Sequence, residues 1–192
     1  MFGRVVAVAC GVVAMAGIGG ASAADVAWGT RDSTISQPLY HPERWEVRAS
    51  GYAHCCFVER GAAIGGAIVA PRLFLIPHLP ELFSPRIMVG GNASLQGHTS
   101  YGFASLLFTW NVTRRFFLEP FVGVAVSNGV SAGDATHNAI GCTTLIHSGG
   151  NIGYRVDDRW SVMLTLDHVS NGNLCSRNVG VNNYGAKVGY SF

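Results

Sequence analysis

Segments of about ten residues in which apolar and polar side chains alternate recur from residue 44 to the end of the chain. In the clearest of them Trp160, Val162, Leu164 and Leu166 alternate with smaller or polar residues. Successive side chains of a β-strand point to opposite faces, so each segment predicts a strand with one apolar and one polar face. The repeated period of two predicts an all-β fold.

We count eight such strands, beginning near residues 44, 61, 86, 101, 116, 143, 160 and 181. Most are joined by short turns on one side and by longer loops on the other. This arrangement is typical of an eight-stranded antiparallel transmembrane β-barrel, whose interior is filled by side chains and leaves no pore.

A soluble β-sandwich is the alternative. Aromatic residues at the ends of the apolar faces argue against it, because they resemble the girdle that lies at a membrane interface: Trp45, Trp110, Tyr154, Trp160 and Tyr190.

Composition supports the barrel. Charged residues make up only 12% of the chain, glycines number 25, and no long apolar block follows residue 25. The net charge of +2 comes without a basic cluster, so we expect no nucleic-acid partner.

Two regions are less regular. Residues 61–70 are all apolar or small, which fits a strand but also a short buried helix. Four prolines at 71, 77, 80 and 85 then predict a turn on the periplasmic side, which is long for such a barrel.

The N-terminus has the features of an export signal. Arg4 precedes an apolar stretch, and Ala21-Ser22-Ala23 is a small-residue cleavage pattern. We therefore expect a signal peptide at 1–23, cleaved near Ala23, a periplasmic lead-in at 24–43 and the barrel at 44–192. The alternatives are a membrane anchor, for which the apolar stretch is short, and a lipoprotein at Cys10, which too few apolar residues precede.

Four cysteines remain after cleavage, and an exported chain meets an oxidising compartment. Four cysteines allow three pairings. Cys142 opens a strand at the outer rim and Cys175 lies in the next outer loop, so we expect a Cys142–Cys175 disulfide. Cys55 and Cys56 are either free, bonded to each other or bonded to an outer loop.

His168 and Ser170 lie at the end of the strand that begins at Trp160, in register with its apolar residues. By parity of crossings this end reaches the outer leaflet. A serine hydroxyl becomes a nucleophile when an adjacent base takes its proton. The N–H groups of Asn171 and Gly172, or the Asn171 amide, are candidates to stabilise an oxyanion. The substrate would be an amphiphile in the outer leaflet, with its ester at headgroup depth.

The stretch from Leu164 to Phe192 resembles the PagL family of outer-membrane lipid A 3-O-deacylases. The residues that carry the resemblance are His168-Val169-Ser170-Asn171, Asn178, Gly180 and the terminal Gly189-Tyr190-Ser191-Phe192. It implies a hydrolase that removes an acyl chain from lipid A. In it His168 would be the base and Ser170 the nucleophile, Asn171 would lie by the oxyanion, and Asn178 would help shape the site.

One position departs from the family. The resemblance places an acid twelve residues after the serine, where this chain has Asn182. By parity Asn182 shares the outward face with His168, so it can orient the imidazole without supplying a charge. Asp167 is adjacent in sequence, but its side chain should point into the barrel.

These residues predict a lipid A deacylase in the outer membrane of a Gram-negative bacterium, in contact with lipopolysaccharide and outer-membrane lipids. The alternative is a non-catalytic barrel that protects the membrane. We expect no cofactor, and a homodimer is allowed but not required. His54, His98 and His137 would lie in outer loops, but they show no metal-ligand spacing, so we predict no metal site. Arg177 is either a solvated loop residue or a contact for a lipid A phosphate.

Overall fold

The computed structural model describes residues 39–55, 57–72, 80 and 83–192, and these residues form a closed antiparallel β-barrel. The described strand segments are β1 (Glu46–Cys55), β2 (Gly61–Val69), β3 (Arg86–Ser94), β4 (Tyr101–Leu107), β5 (Trp110–Asn111), β6 (Phe116–Ser127), β7 (Thr144–Arg155), β8 (Trp160–Ser170) and β9 (Val181–Ser191).

Eight barrel strands arise from these nine described segments, because β4 and β5 both pair with β6 and form one interrupted strand. The first and last segments, β1 and β9, are hydrogen-bonded neighbours, and the β4–β6 pairing closes the barrel. This confirms the predicted fold class. No helix in the described part of the chain is long and apolar enough to cross a membrane.

The segment at 61–70 is a strand, as the first of its two interpretations predicted. Ile64 and Ile68 point outward and are more than half exposed, whereas Ala63 and Val69 are buried in the interior. Small residues occupy many of the other positions, and this explains why the sequence showed no clear period of two.

The barrel interior is polar and tightly paired at the end where β1 begins. Arg48 donates to the carboxylates of Glu46 and Glu119, at 2.9 Å in each case. Arg86 donates to Glu46 at 3.2 Å. Buried charges require such partners, since an unpaired ion in this environment would cost several kcal/mol. The polar residues of the alternating pattern can therefore face the interior, because their charges are paired with one another there.

A tight turn at 157–159 joins β7 to β8. The Asp157 carboxylate accepts the backbone N–H groups of Trp160 and Arg159, both at 2.8 Å. These two bonds lower the pKa of Asp157, because they stabilise its charged form.

Several expectations lie outside the described residues. The signal peptide at 1–23, the start of the lead-in at 24–38 and Cys56 are not described, nor are 73–79 and 81–82 of the proline-containing turn. Cys55 is disulfide-bonded, so it is not a free thiol.

Candidate active site

Strand β8 carries His168 and Ser170 on the outer surface of the barrel. Leu164 and Leu166 precede them on the same face and are 67% and 42% exposed. The neighbouring Val169 lies on the opposite face and is fully buried. His168 and Ser170 are half-buried, at the level where β8 gives way to the loop before β9. His168 and Ser170 thus point outward in the structure, as the sequence predicted.

His168 and Asn182 are paired directly across β8 and β9. Nδ1 of His168 lies 2.7 Å from Oδ1 of Asn182. An amide oxygen only accepts, so this contact assigns the ring proton to Nδ1 and leaves Nε2 as an acceptor. A base that takes a proton from a hydroxyl needs that free ring nitrogen.

The outward row continues on both sides of this pair. Ser148 of β7 is the cross-strand partner of His168, and Cys55 of β1 is the partner of Asn182. Directly opposed residues of an antiparallel sheet lie about 4.5–5.5 Å apart. The outward hydroxyl of Ser148 is therefore near the imidazole. Ser170 lies two residues further along β8 on the same outward face, and it was the only serine that the sequence indicated.

Gly180 packs against both His168 and Ser170. A Cβ atom built on Gly180 would lie 2.8 Å from Cε1 of His168 and 3.1 Å from Cβ of Ser170. It would also lie 2.6 Å from the carbonyl oxygen of Val169. His168 and Ser170 thus both contact one glycine, and the space around Gly180 is too small for a side chain.

The chain bends sharply just after Ser170. Gly172 and Asn173 have φ values of 62° and 65°, and the N–H of Leu174 donates to the carbonyl of Asn171 at 3.1 Å. Two consecutive positive φ values with this bond define a turn of type I′. The turn's own hydrogen bond does not use the N–H groups of its two central residues, so it leaves the Gly172 N–H for another acceptor.

Asn171 is the anchor of this bend. Its backbone N–H donates to Oδ1 of Asn178 at 2.8 Å. Its buried amide group donates to the carbonyl of Ile140 at 2.7 Å and to the carbonyl of Arg177. The main-chain and amide donors of Asn171 are thus engaged within the protein.

Asn178 completes the anchoring, since its amide group also donates to Oδ1 of Asn173 at 3.2 Å. The loop is therefore fastened at both of its ends.

The predicted disulfide between Cys142 and Cys175 is present, with a Cα–Cα distance of 6.1 Å. It joins the β6–β7 loop to the β8–β9 loop. Ile140 and Arg177, whose carbonyls accept from Asn171, lie two residues from the two cysteines. The covalent link and the Asn171 amide therefore hold the same pair of loops together.

Sequence analysis missed a serine–histidine–aspartate chain inside the barrel. Oγ of Ser105 lies 2.7 Å from Nδ1 of His147, and Nε2 of His147 lies 3.2 Å from Oδ2 of Asp167. All three are at most 4% exposed, and the His147 ring stacks on Phe103 with centroids 4.2 Å apart. No substrate can reach such a sealed position, so the chain is structural.

These interior hydrogen bonds explain why Asp167 is not a partner of His168. Asp167 also accepts from the hydroxyl of Tyr101 at 2.6 Å, inside the barrel. The inward parity of Ser105 and His147 was the only signal in the sequence that could have indicated this chain.

His54, His98 and His137 lie near one another at the outer end of the barrel. The expectation that all three lie in loops was wrong for His54, which belongs to β1 and is buried. The ring centroids of His54 and His98 are 6.5 Å apart, and those of His98 and His137 are 5.8 Å apart. Within the described ranges, however, no three histidine, cysteine or acidic side chains are arranged to hold a metal ion.

The fold and site together define a class: an eight-stranded membrane β-barrel with a candidate serine–histidine site on its outer face. The sequence profile of the family described as lipid A 3-O-deacylase (PagL) matches residues 82–191, which is more than half of the chain. The chain belongs to the PagL family. A comparison with curated proteins found no match.

Solved structures share the architecture at low sequence identity. The outer membrane enzyme PagL is 16% identical with a TM-score of 0.60, over 77% of this chain and 99% of that one. The N-terminal β-barrel domain of Pseudomonas aeruginosa OprF is 16% identical with a TM-score of 0.51, over 78% and 98%. Neisserial surface protein A (NspA) is 11% identical with a TM-score of 0.53, over 78% and 97%. At these identities the likeness shows the fold.

Proposed function

We propose that the protein is a lipid A deacylase of the Gram-negative outer membrane that hydrolyses the 3-O-linked acyl ester. Family membership supports the substrate class. The observation that carries the mechanism is the 2.7 Å contact between His168 and Asn182 on the outer face, with Ser170 beside it. In this scheme Ser170 is the nucleophile, His168 the general base and Asn182 the residue that orients the imidazole.

The reaction proceeds in two steps. Oγ of Ser170 attacks the ester carbonyl while Nε2 of His168 takes the hydroxyl proton. The tetrahedral intermediate then collapses, the C–O bond to lipid A breaks, and His168 returns the proton to the departing sugar hydroxyl. Water, deprotonated by His168, next attacks the acyl-serine; the bond between the acyl carbon and Oγ of Ser170 breaks, His168 passes the proton to Oγ, and the fatty acid leaves.

The oxyanion of each tetrahedral intermediate needs a donor. The Gly172 N–H is the candidate, because the hydrogen bond of its own turn does not use it. One such donor is worth about 3–4 kcal/mol in known hydrolases. Asn171 and Asn178 contribute by holding the turn in place, since the bonds of Asn171 fix the chain immediately after Ser170.

The outward position of the site suits a lipid substrate. Drawing an acyl chain from the bilayer into water would cost about 0.8 kcal/mol per methylene. An ester that reacts on the lipid-facing surface avoids this cost, because its acyl chain stays in the membrane beside Leu164 and Leu166. The site therefore needs no enclosed acyl pocket.

A non-catalytic barrel is the second candidate, and one observation favours it. Asn182 contributes no negative charge to stabilise an imidazolium at His168. The proposed enzyme would be slower than one with a carboxylate at this position.

Mass spectrometry of lipid A from an expressing Gram-negative host distinguishes the two candidates. Wild type should remove one acyl chain, and fragmentation of the product should place the loss at the 3-O position. Ser170→Ala and His168→Ala should leave lipid A intact at equal amounts of folded barrel. Unchanged lipid A with the wild type would overturn the deacylase, and loss at another position would overturn the 3-O assignment.

The domain boundaries belong to the same proposal. Residues 1–23 would direct export and be removed, and 24–43 would lead into the barrel. The intact mass of protein purified from outer membranes should correspond to a chain that starts at Ala24. A mature chain that retains residues 1–23 would contradict this boundary.

A further inference from the structure

A buried carboxylate joins three of the outer loops. Glu59 lies in the β1–β2 loop and is 1% exposed. It accepts the backbone N–H of Thr99 at 3.0 Å, the hydroxyl of Thr99 at 2.8 Å and the backbone N–H of Asn138 at 3.1 Å. These donors come from the β3–β4 and β6–β7 loops. Three such bonds compensate for burial of the carboxylate and fix the backbone at Asn138.

Asn138 extends this cluster to the fourth loop. Its Oδ1 accepts the N–H of Val58 at 3.1 Å, and its amide group donates to the carbonyl of Gly180 at 3.2 Å. Asn138 is 2% exposed. Beside it, the N–H of Val179 donates to the carbonyl of Ala139 at 2.9 Å. The segment that ends at Gly180 is therefore held by two bonds from the β6–β7 loop.

Gly180 is the residue against which both His168 and Ser170 lie. A shift of Gly180 toward them would push on Cε1 of His168, and a shift away would remove the backbone contact that both side chains share. The hydrogen bond from Asn138 thus ends at the backbone residue that packs against both the proposed base and the proposed nucleophile.

We propose that Asn138, held by Glu59, is a positioning residue for the deacylation reaction. It does not touch the substrate. It fixes Gly180 and, through Gly180, the geometry of His168 and Ser170. This inference rests on the proposed function, and it adds that the active site depends on the packing of all four outer loops around one buried carboxylate.

Two substitutions remove the hydrogen bond from Asn138 to Gly180 in different ways. Asn138→Ala removes every side-chain bond of this residue. Asn138→Asp keeps an oxygen for the N–H of Val58 but has no donor for the carbonyl of Gly180. Ser105→Ala is the matched control, because it also removes a buried side-chain hydrogen bond, to His147 inside the barrel, without touching the outer loops.

Two rates are measured on purified, folded barrels: release of fatty acid from lipid A, and covalent labelling of Ser170 by a fluorophosphonate. Displacement of reacting groups by about 1 Å can cost 10²-fold. Both Asn138 variants should lower kcat and the labelling rate by about 10–100-fold with KM within about twofold. Ser105→Ala should change neither rate. Loss of folded barrel alone would reduce the active fraction without changing kcat per folded molecule.

The outcomes separate the two proposals. If both Asn138 variants keep the wild-type kcat and labelling rate while the wild type is active, the positioning role is overturned and the deacylase stands. If the wild type is labelled at Ser170 but does not cut lipid A, the substrate assignment fails, and the labelling rates still decide the role of Asn138. If the wild type is neither labelled nor active, both proposals fail.

Discussion

His168 and Asn182 face each other across β8 and β9, with Nδ1 and Oδ1 2.7 Å apart. The amide fixes the ring orientation and the tautomer as a carboxylate would. What it lacks is the charge that stabilises an imidazolium while the proton resides on Nε2. The geometry and the electrostatics of the site can therefore be tested separately at this one position.

Asn182→Asp and Asn182→Glu should raise kcat by about tenfold or more, because either carboxylate supplies the missing charge. Asn182→Ala should lower kcat, since it leaves the imidazole without its partner. Fatty acid release from lipid A by the purified variants measures both effects. A carboxylate variant no faster than wild type would mean that Asn182 does not act on His168 during the reaction.

Gly180→Ala should abolish most of the activity while the barrel still folds. The new Cβ would lie 2.6 Å from the Val169 carbonyl and 2.8 Å from Cε1 of His168, so the imidazole must move. Displacement of a catalytic group by about 1 Å can lower the rate by about 10²-fold, and we expect a loss of that order.

Gly102→Ala is the control for this substitution, because a Cβ there meets nothing nearer than 3.8 Å. Steady-state rates and unfolding in urea should be compared for both variants. Equal activity of Gly180→Ala and Gly102→Ala would contradict the close packing around His168.

The double variant Cys142→Ser/Cys175→Ser should loosen the loop that follows Ser170. A disulfide that spans 33 residues is expected to contribute about 2–4 kcal/mol, mainly by restricting the opened chain. Limited trypsin digestion should therefore cleave after Arg177 faster than in the wild type. Cleavage after Arg60, in the β1–β2 loop, is the internal control and should not change. Unaltered cleavage at Arg177 would show that the Asn171 bonds suffice to hold the loop.

Ser105→Ala should destabilise the barrel by about 1–3 kcal/mol and leave deacylation unchanged. The substitution removes the partner of Nδ1 of His147 in a sealed interior. Unfolding in urea, followed by tryptophan fluorescence, measures the stability. A loss of activity per folded molecule would mean that the interior serine–histidine–aspartate chain takes part in the reaction.

Most of the fold was predictable because a barrel strand repeats one simple rule. The period of two placed Glu119, Asp167 and Lys187 inside, where each is buried. The same rule placed His168, Ser170 and Asn182 on one outer face. The break at Phe108 and Thr109 between β4 and β5 was not predicted, since the alternation continues through both residues.

The loop contacts could not be predicted in the same way. Asn138 bonds to residues about 80 and 42 positions away, and no period relates them. The roles of Gly180 and Glu59 likewise depend on how four loops pack over the end of the barrel. Alternation in the sequence predicts which face of a strand a side chain occupies. Loop packing depends on hydrogen bonds between residues far apart in the chain, and these produce no periodic pattern in the sequence.

Two outward serines flank His168, and they provide the most direct test of the central claim. Fatty acid release from lipid A should be measured for purified wild type, Ser170→Ala and Ser148→Ala, with the folded fraction determined for each. We predict that Ser170→Ala lowers the rate by about three orders of magnitude or more, as loss of a nucleophile does, while Ser148→Ala stays within about fivefold of the wild type. Wild-type release by Ser170→Ala would contradict the proposed mechanism.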